Sequence, residues 1–372
     1  MLTAHQYIQQ KLDQRREDGI FRRLKSANGL IDFCSNDYLG LARSLELQHQ
    51  IEQEIERHGQ VLNGSTGSRL LAGNSEYAEQ LETYIAGFHS SEAALLFNSG
   101  YDANLGLLSS LPQRGNTVIH DELIHASIID GIRLSHANRF NFKHNDLESL
   151  ESKLKVSKGT CYVVVESIYS MDGDLAPLKD LAQLVKKYDA NLIVDEAHAT
   201  GVFGKGLINE SRLENEVFAR IITYGKALGC HGAAVLGSAV LREYLINFAR
   251  SFIYTTAAPF HQLASIKAAY QYLDMHADLN NDLFDIINYY TCAIEGVAAV
   301  NNSPIQTVVL GSNEKAVQLA NKLQSDGFDV RPILNPTVPA GSERLRICLH
   351  TYNTKNEISQ LTQQIKRFID GK

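Results

Sequence analysis

Two stretches decide how this chain is read: NLIVDEAHATGVFG, from Asn191 to Gly204, and ARIITYGKALG, from Ala219 to Gly229. Each opens on a short β-branched run and breaks into small residues, as strands of a buried parallel sheet do. On that reading Asp195 and His198 stand just past the carboxyl end of one strand, and Lys226 just past the end of the next. Ligands of open α/β sheets bind at that edge. An acid, an imidazole and a lysine gathered there suit a cofactor that needs a Schiff base and a counter-charge, and pyridoxal phosphate needs both. Lys226 is the residue expected to hold it.

Other readings of the same residues are weaker. A DEAH tetrapeptide also serves a bound nucleotide in helicases, but that use requires a G-x-x-x-x-G-K-[ST] loop, and the sequence has none. A lone lysine after a strand is usually a solvated charge. Here Thr223 precedes it by three positions, glycines stand at 225 and 229, and an acidic strand end comes before.

A chain of 372 residues suggests one large and one smaller domain, and its 44% apolar content supplies a packed core. The net charge of −7 argues against a general nucleic-acid binder, which needs a basic surface. Cys34, Cys161, Cys230, Cys292 and Cys348 are odd in number and form no C-x-x-C pair. That spacing suits a reducing compartment, offers no metal site, and reads as five small buried hydrophobes. No apolar run is long enough to span a bilayer and the N-terminus lacks a signal-peptide core, so a soluble, cytoplasmic protein is expected.

Taken in order, residues 1–44 read as an amphipathic helix and an arm. The helix carries Tyr7, Ile8 and Leu12, and its end is rich in arginine: Arg15, Arg16, Arg22 and Arg23 form either a solvated face or a site for an anionic substrate. In LIDFCSNDYLGLA a short strand breaks at Ser35-Asn36-Asp37 into a turn. Residues 45–270 alternate strand and helix, the signature of a doubly wound, mostly parallel α/β layer. Within it GSTGSRLLAGN, from Gly64, is either a flexible connector or a place for close backbone approach. The strand ALLFNSG leads into Ser99, Gly100 and Tyr101, where a helix N-terminus favours phosphate. His125 stands at another strand-to-helix junction, as a structural residue or as a ring stacked on the cofactor. Residues 271–372 read as a smaller α+β domain whose strands are IQTVVLG and RLRICL. Arg346, on the latter, faces either the cleft between domains, where a carboxylate would find a bidentate partner, or water.

The motifs FCSNDYLGL, GSTGSR, HASIIDG, ESIYSMDGD, VDEAHATGVFG, TYGKALG and RLRICL, in this order, resemble the α-oxoamine synthases. These belong to the aspartate-aminotransferase-like superfamily of pyridoxal phosphate enzymes, fold type I. The resemblance runs from about Leu12 to the last helix. LDQRREDGIFRR and PTVPAGSERLR are most similar to the branch that joins L-alanine to a pimeloyl thioester in biotin synthesis.

The resemblance implies roles by position. Lys226 would bind the cofactor aldehyde and later move the Cα proton. Asp195 would pair with the pyridine nitrogen and His198 with the phenolic oxygen, while His125 stacks on the ring. Ser170 and Thr223 would contact the cofactor, with Ser99, Gly100 and Tyr101 at its phosphate. Thr255 or Thr256 would reach the phosphate of the neighbouring subunit, since the family builds its sites at a homodimer interface. Asn36, Glu166 and Arg346 would line the amino-acid pocket, with Arg346 on the carboxylate, and Arg22 and Thr337 would serve the acyl substrate. The thiol carrier, coenzyme A or acyl carrier protein, stays open. Arg69 stands where some biotin enzymes carry histidine, and Cys348 and His350 replace small hydroxyl residues. Those departures bear on the substrate more than on the reaction class. Rival readings are a synthase of the same family using glycine or serine, a pyridoxal phosphate aminotransferase, and a nucleotide-binding module without enzymatic activity.

Overall fold

A computed structural model of the chain describes residues 2–24, 29–59, 61–276 and 278–371. Two compact units emerge: a larger one of residues 36–170 and 174–283, and a smaller one of residues 1–35, 171–173 and 284–372. The chain passes from one unit to the other at 35/36, 170/171, 173/174 and 283/284.

In chain order the strands are β1 Ile31–Asp32, β2 Ala93–Phe97, β3 Thr117–Asp121, β4 Asn138–Phe142, β5 Cys161–Glu166, β6 Asn191–Asp195, β7 Ala219–Thr223, β8 Ala233–Gly237, β9 Ile305–Val309, β10 Phe328–Asp329, β11 Arg331–Ile333 and β12 Arg344–Cys348. The larger unit holds a seven-stranded sheet in the order β2-β8-β7-β6-β5-β3-β4. Strands β7, β6, β5, β3 and β4 run parallel, and β8 is antiparallel to both β7 and β2. All of β5 and β7 and nearly all of β6 are buried, as continuous β-branched runs covered on both faces must be. Crossover helices Gly100–Ser110, Ala126–Leu134, Leu147–Leu154 and Leu178–Lys187 follow β2, β3, β4 and β5. Leu95, Leu107, Val118, Ile128, Val164, Ile193 and Ile221 join strands and helices in one core. The expected doubly wound, mostly parallel layer is therefore present. The sequence reading missed β8, because AAVLG carries little β-branched character. Its direction has a simple cause: the connector 224–232 is shorter than a helical crossover needs, so the chain returns antiparallel.

In the smaller unit β1 pairs in parallel with β10, and β11, β12 and β9 form an antiparallel sheet. Helix Asn313–Ser325 buries Ala316, Leu319, Ala320 and Leu323, and helix Lys355–Ile369 buries Ile358, Leu361 and Ile365, the apolar stripes seen in the sequence. Cys161 and Cys348 are buried, whereas Cys292 is exposed, which corrects the reading of all five thiols as buried hydrophobes. No helix among the described residues is long and apolar enough to cross a membrane.

One ionic cluster ties the loops at the carboxyl edge of the large sheet. His144, just after β4, has Nδ1 3.0 Å from Asp121 Oδ1 at the end of β3, and Nε2 2.6 Å from Asp174 Oδ2 in the loop after β5. The Tyr169 ring lies edge-on to it with centroids 4.4 Å apart. Burial opposes the charged imidazole, but the two carboxylates outweigh burial and push its pKa up to about 10. The unfolded value is about 6.5, so the stabilisation from His144 is complete below that pH and is lost as pH rises towards about 10. Replacing His144 with alanine leaves two carboxylates facing one another and should cost about 3 kcal/mol at neutral pH. Urea unfolding across pH 6–10 should give the variant a flatter stability profile than the parent protein.

Candidate active site

The parallel register of β5, β6 and β7 sets Glu166 beside Asp195 and Asp195 beside Ile221. Asp195 is the last residue of β6 and is 5% exposed. Its Oδ2 accepts from Asn104 Nδ2 at 2.7 Å and its Oδ1 from the Ala197 amide at 2.8 Å. Asn104 also donates to Ser127 Oγ at 3.0 Å, linking two crossover helices through one amide. A buried carboxyl group is costly unless donors meet its oxygens, and here each oxygen has one.

Lys226 follows the end of β7 by three residues, and its Nζ lies 2.8 Å from His198 Nε2. His198 Nδ1 is 2.8 Å from the Tyr38 hydroxyl, which donates to Asn36 Oδ1 at 3.0 Å. The amide oxygen only accepts, so Tyr38 spends its proton there and receives one from Nδ1–H. With a neutral ring, Nε2 then accepts from the lysine. One polarised chain thus runs from Lys226 through His198 and Tyr38 to Asn36.

The larger unit also carries the other residues expected between 99 and 256. His125 caps helix Ala126–Leu134, its Nδ1 accepting from the Ser127 amide at 3.2 Å with Ser127 Oγ at 2.8 Å, so the ring proton sits on Nε2. Burial, with the nearby lysine charge, lowers its pKa despite Asp195. Both readings left open for His125 are therefore compatible in one residue, a cap through Nδ1 and a ring free to stack. Ser99 caps helix Gly100–Ser110, and a Cβ on Gly100 would lie 3.6 Å from Thr223 Oγ1, so backbone and threonine hydroxyl border the same small space. Amides at such a helix start attract phosphate. Tyr101 turns its hydroxyl to the Asp130 carboxylate. Asn98 Nδ2 donates to Thr255 Oγ1 at 3.0 Å and to the Thr256 carbonyl at 2.8 Å, tying that threonine pair to the residue before Ser99. Glu166 is wholly buried; burial first and Asp195 second push its pKa up to about 8, and its Oε2 accepts from the Ser170 amide at 3.2 Å.

Arg22, Thr337 and Arg346 belong to the smaller unit. Arg22 and Thr337 line one pocket with Arg15, Ile20, Phe21 and Met171. Arg346, on β12, donates from Nη1 to Cys348 Sγ at 2.9 Å. His350 is buried, with Nε2 3.0 Å from the Ser35 carbonyl and its ring stacked on Tyr352, a role in holding the unit together. Arg69 pairs with buried Glu82 at 2.5 Å, and Arg242 holds the same carboxylate at 2.7 Å. Sequence reasoning missed Asn104, Tyr38 and Ser127 as supporting residues. Asn104 had a signal: an asparagine inside a helix of small and apolar residues is a poor helix former and needs another reason to be there.

The donor set fits pyridoxal phosphate. It offers an amine for the aldehyde, a buried carboxylate for a cationic ring nitrogen, a histidine ring for stacking and a helix start for the phosphate. The fold is that of the type I pyridoxal phosphate transferases. Residues 28–365 match the aminotransferase class I and II model, and the chain belongs to that family. Among curated proteins it is 42% identical to the 8-amino-7-oxononanoate synthase of Emericella nidulans, covering 96% of this chain and 94% of that protein. It is 37% identical to 8-amino-7-oxononanoate synthase 2 of Bacillus subtilis, covering 96% of each. Among solved structures, 8-amino-7-oxononanoate synthase from Francisella tularensis is similar with a TM-score of 0.79 and 31% identity, over 93% of this chain and 99% of that one. A serine palmitoyltransferase variant from S. paucimobilis, solved with a PLP–myriocin aldimine, gives a TM-score of 0.88 at 25% identity over 98% and 97%.

Replacing Asn104 with alanine removes one of two donors from Asp195 and opens a hole beside Ser127. Stability should fall by about 1–3 kcal/mol, and pyridoxal phosphate should bind more weakly. Urea unfolding and a titration of the bound-cofactor absorbance check the two effects separately.

Proposed function

We propose that the protein condenses L-alanine with a pimeloyl thioester, with loss of carbon dioxide, to give 8-amino-7-oxononanoate for biotin synthesis. The observation that carries this reading is sequence identity of 36–42% to proteins named for that product over nearly the whole chain. Serine palmitoyltransferases reach higher TM-scores but only 25–28% identity, which speaks for a shared fold more than a shared substrate.

When bound, pyridoxal phosphate supplies an aldehyde for the amino group and a cationic ring that stabilises negative charge at the amino acid's Cα. Asp195 would hold the proton on the ring nitrogen, and Asn104 keeps that side chain aimed. His125 covers one face of the ring and excludes water. The helix start at Ser99, Gly100 and Tyr101, with Ser170 and Thr223, holds the cofactor in place. Lys226 would hold the cofactor through its aldehyde and would serve as the base for the amino acid's Cα proton. His198, oriented by Tyr38, accepts a hydrogen bond from the lysine and donates none to it from Nε2, so the amine is poised to give up a proton. Asn36, Glu166 and Arg346 line the amino-acid pocket, with the guanidinium on the carboxylate, and Arg22 and Thr337 serve the acyl chain.

The active form in this reading is a cytoplasmic homodimer in which Thr255 or Thr256 reaches the partner subunit's cofactor phosphate. Tyr254, Leu70 and Leu71 are exposed on the two loops involved, and the Ala257 amide donates to the Gly67 carbonyl, joining those loops. Large apolar side chains left outside on linked loops suit a covered interface.

Purified protein supplied with pyridoxal phosphate should turn yellow, and borohydride should attach the cofactor at Lys226. Free thiol should appear with alanine and pimeloyl-coenzyme A or pimeloyl-acyl carrier protein. Release with glycine or serine instead of alanine would reject the substrate assignment, and an amino-donor half-reaction without thiol release would indicate an aminotransferase. Replacing Lys226 with alanine should abolish labelling and lower turnover by about 10³-fold or more.

A further inference from the structure

Glu166 has no proton-handling task in these steps, yet its setting is unusual. It ends β5 in register with Asp195 at the end of β6. Registered residues on neighbouring parallel strands point to the same face, so the two carboxyls are neighbours. Two adjacent buried carboxyls do not both ionise at neutral pH. Donors decide which keeps the proton. Asp195 receives one on each oxygen, from Asn104 and the Ala197 amide. Glu166 Oε2 receives the Ser170 amide at a longer 3.2 Å, and its buried Oε1 has no partner in good hydrogen-bond geometry, the His125 backbone amide acting on the carboxyl only electrostatically at its edge. An orphaned oxygen is costly on a carboxylate, whereas an O–H there waits for an acceptor.

The groups facing it come from four elements. Asp195 lies on β6, Lys226 follows β7, the His125 backbone follows β3, and Ser170 and Tyr169 follow β5. Burial and then Asp195 favour the neutral acid; Lys226 and the two backbone amides oppose them, and the balance stands at about 8.

We propose that Glu166 rests as the neutral acid and that its Oε1–H is a hydrogen-bond donor to the carboxylate of the bound amino acid, the group the condensation later expels. This rests on the synthase reading for the identity of the ligand. An ionised Glu166 would repel the incoming carboxylate, so amino-acid binding weakens as pH rises through its titration.

The test uses the full chain loaded with pyridoxal phosphate, and E166Q, which keeps a neutral donor of the same length. Infrared difference spectra of the parent protein should show a protonated carboxyl C=O band that fades between about pH 7 and 9 and is absent from E166Q. Carbon-13 labelling of glutamate alone should shift that band, which assigns it even if E166Q folds poorly. Alanine affinity, read from the cofactor absorbance, should fall by up to about tenfold per pH unit above about pH 8 in the parent protein relative to E166Q. The proposal is overturned by a band that glutamate labelling does not move or by equal pH slopes in the two proteins. A colourless parent protein with the infrared band intact would instead count against the synthase reading alone.

Discussion

The hydrogen bond between Asn104 and Asp195 is the interaction on which the site depends. A carboxylate at the end of a buried strand is expensive unless donors surround it, and Asp195 has its donors because helix Gly100–Ser110 packs back on the sheet with an asparagine at the right depth. The same amide reaches Ser127, and Ser127 contacts His125. One short polar chain therefore sets the acid, the cap of a second helix and the imidazole ring together. All of it rests on β6 lying in register between β5 and β7. A slip of one residue would turn Asp195 to the other face and leave Asn104 without an acceptor.

The lysine side of the site is built differently, from close backbone approach. Gly229 adopts φ +65°, and a Cβ there would fall 2.2 Å from the Ala42 amide nitrogen. Gly201, at φ +87°, would place one 2.8 Å from Ala227 Cβ. These glycines let the loop bearing Lys226 lie against both the segment after Tyr38 and the segment after His198. The polarised chain from Lys226 to Asn36 is the chemical result. Gly229, one of the two glycines noted beside Lys226, acts here as a spacer that any side chain would push apart.

The His144 cluster and Glu166 show how the same sheet edge manages charge in opposite ways. His144 carries a cation between two carboxylates and ties loops together. Glu166, desolvated and crowded by Asp195, is driven toward the neutral form. Burial works against the charged form of both groups; neighbouring carboxylates overturn it at His144 and reinforce it at Glu166.

Much of this was legible in the residues themselves. The β-branched runs marked β5, β6 and β7, the spacing put Asp195, His198 and Lys226 just past strand ends, and local chemistry placed Ser99 at a helix start. Those features are local: burial on both faces demands continuous apolar runs, and chain geometry fixes which residues emerge at the end of a strand. Antiparallel β8 escaped notice because its residues are small, and the pairing of β1 with β10 because two-residue strands carry no pattern. Asn104, Tyr38 and Ser127 were invisible as site residues, since each acts on a group far away in sequence. The unsatisfied oxygen of Glu166 belongs to the same class. Sequence alone determined which chemistry the chain carries and on which elements it rides; the tertiary structure decided which side chains share a proton, because hydrogen-bond partners and desolvation depend on distance in space and not along the chain.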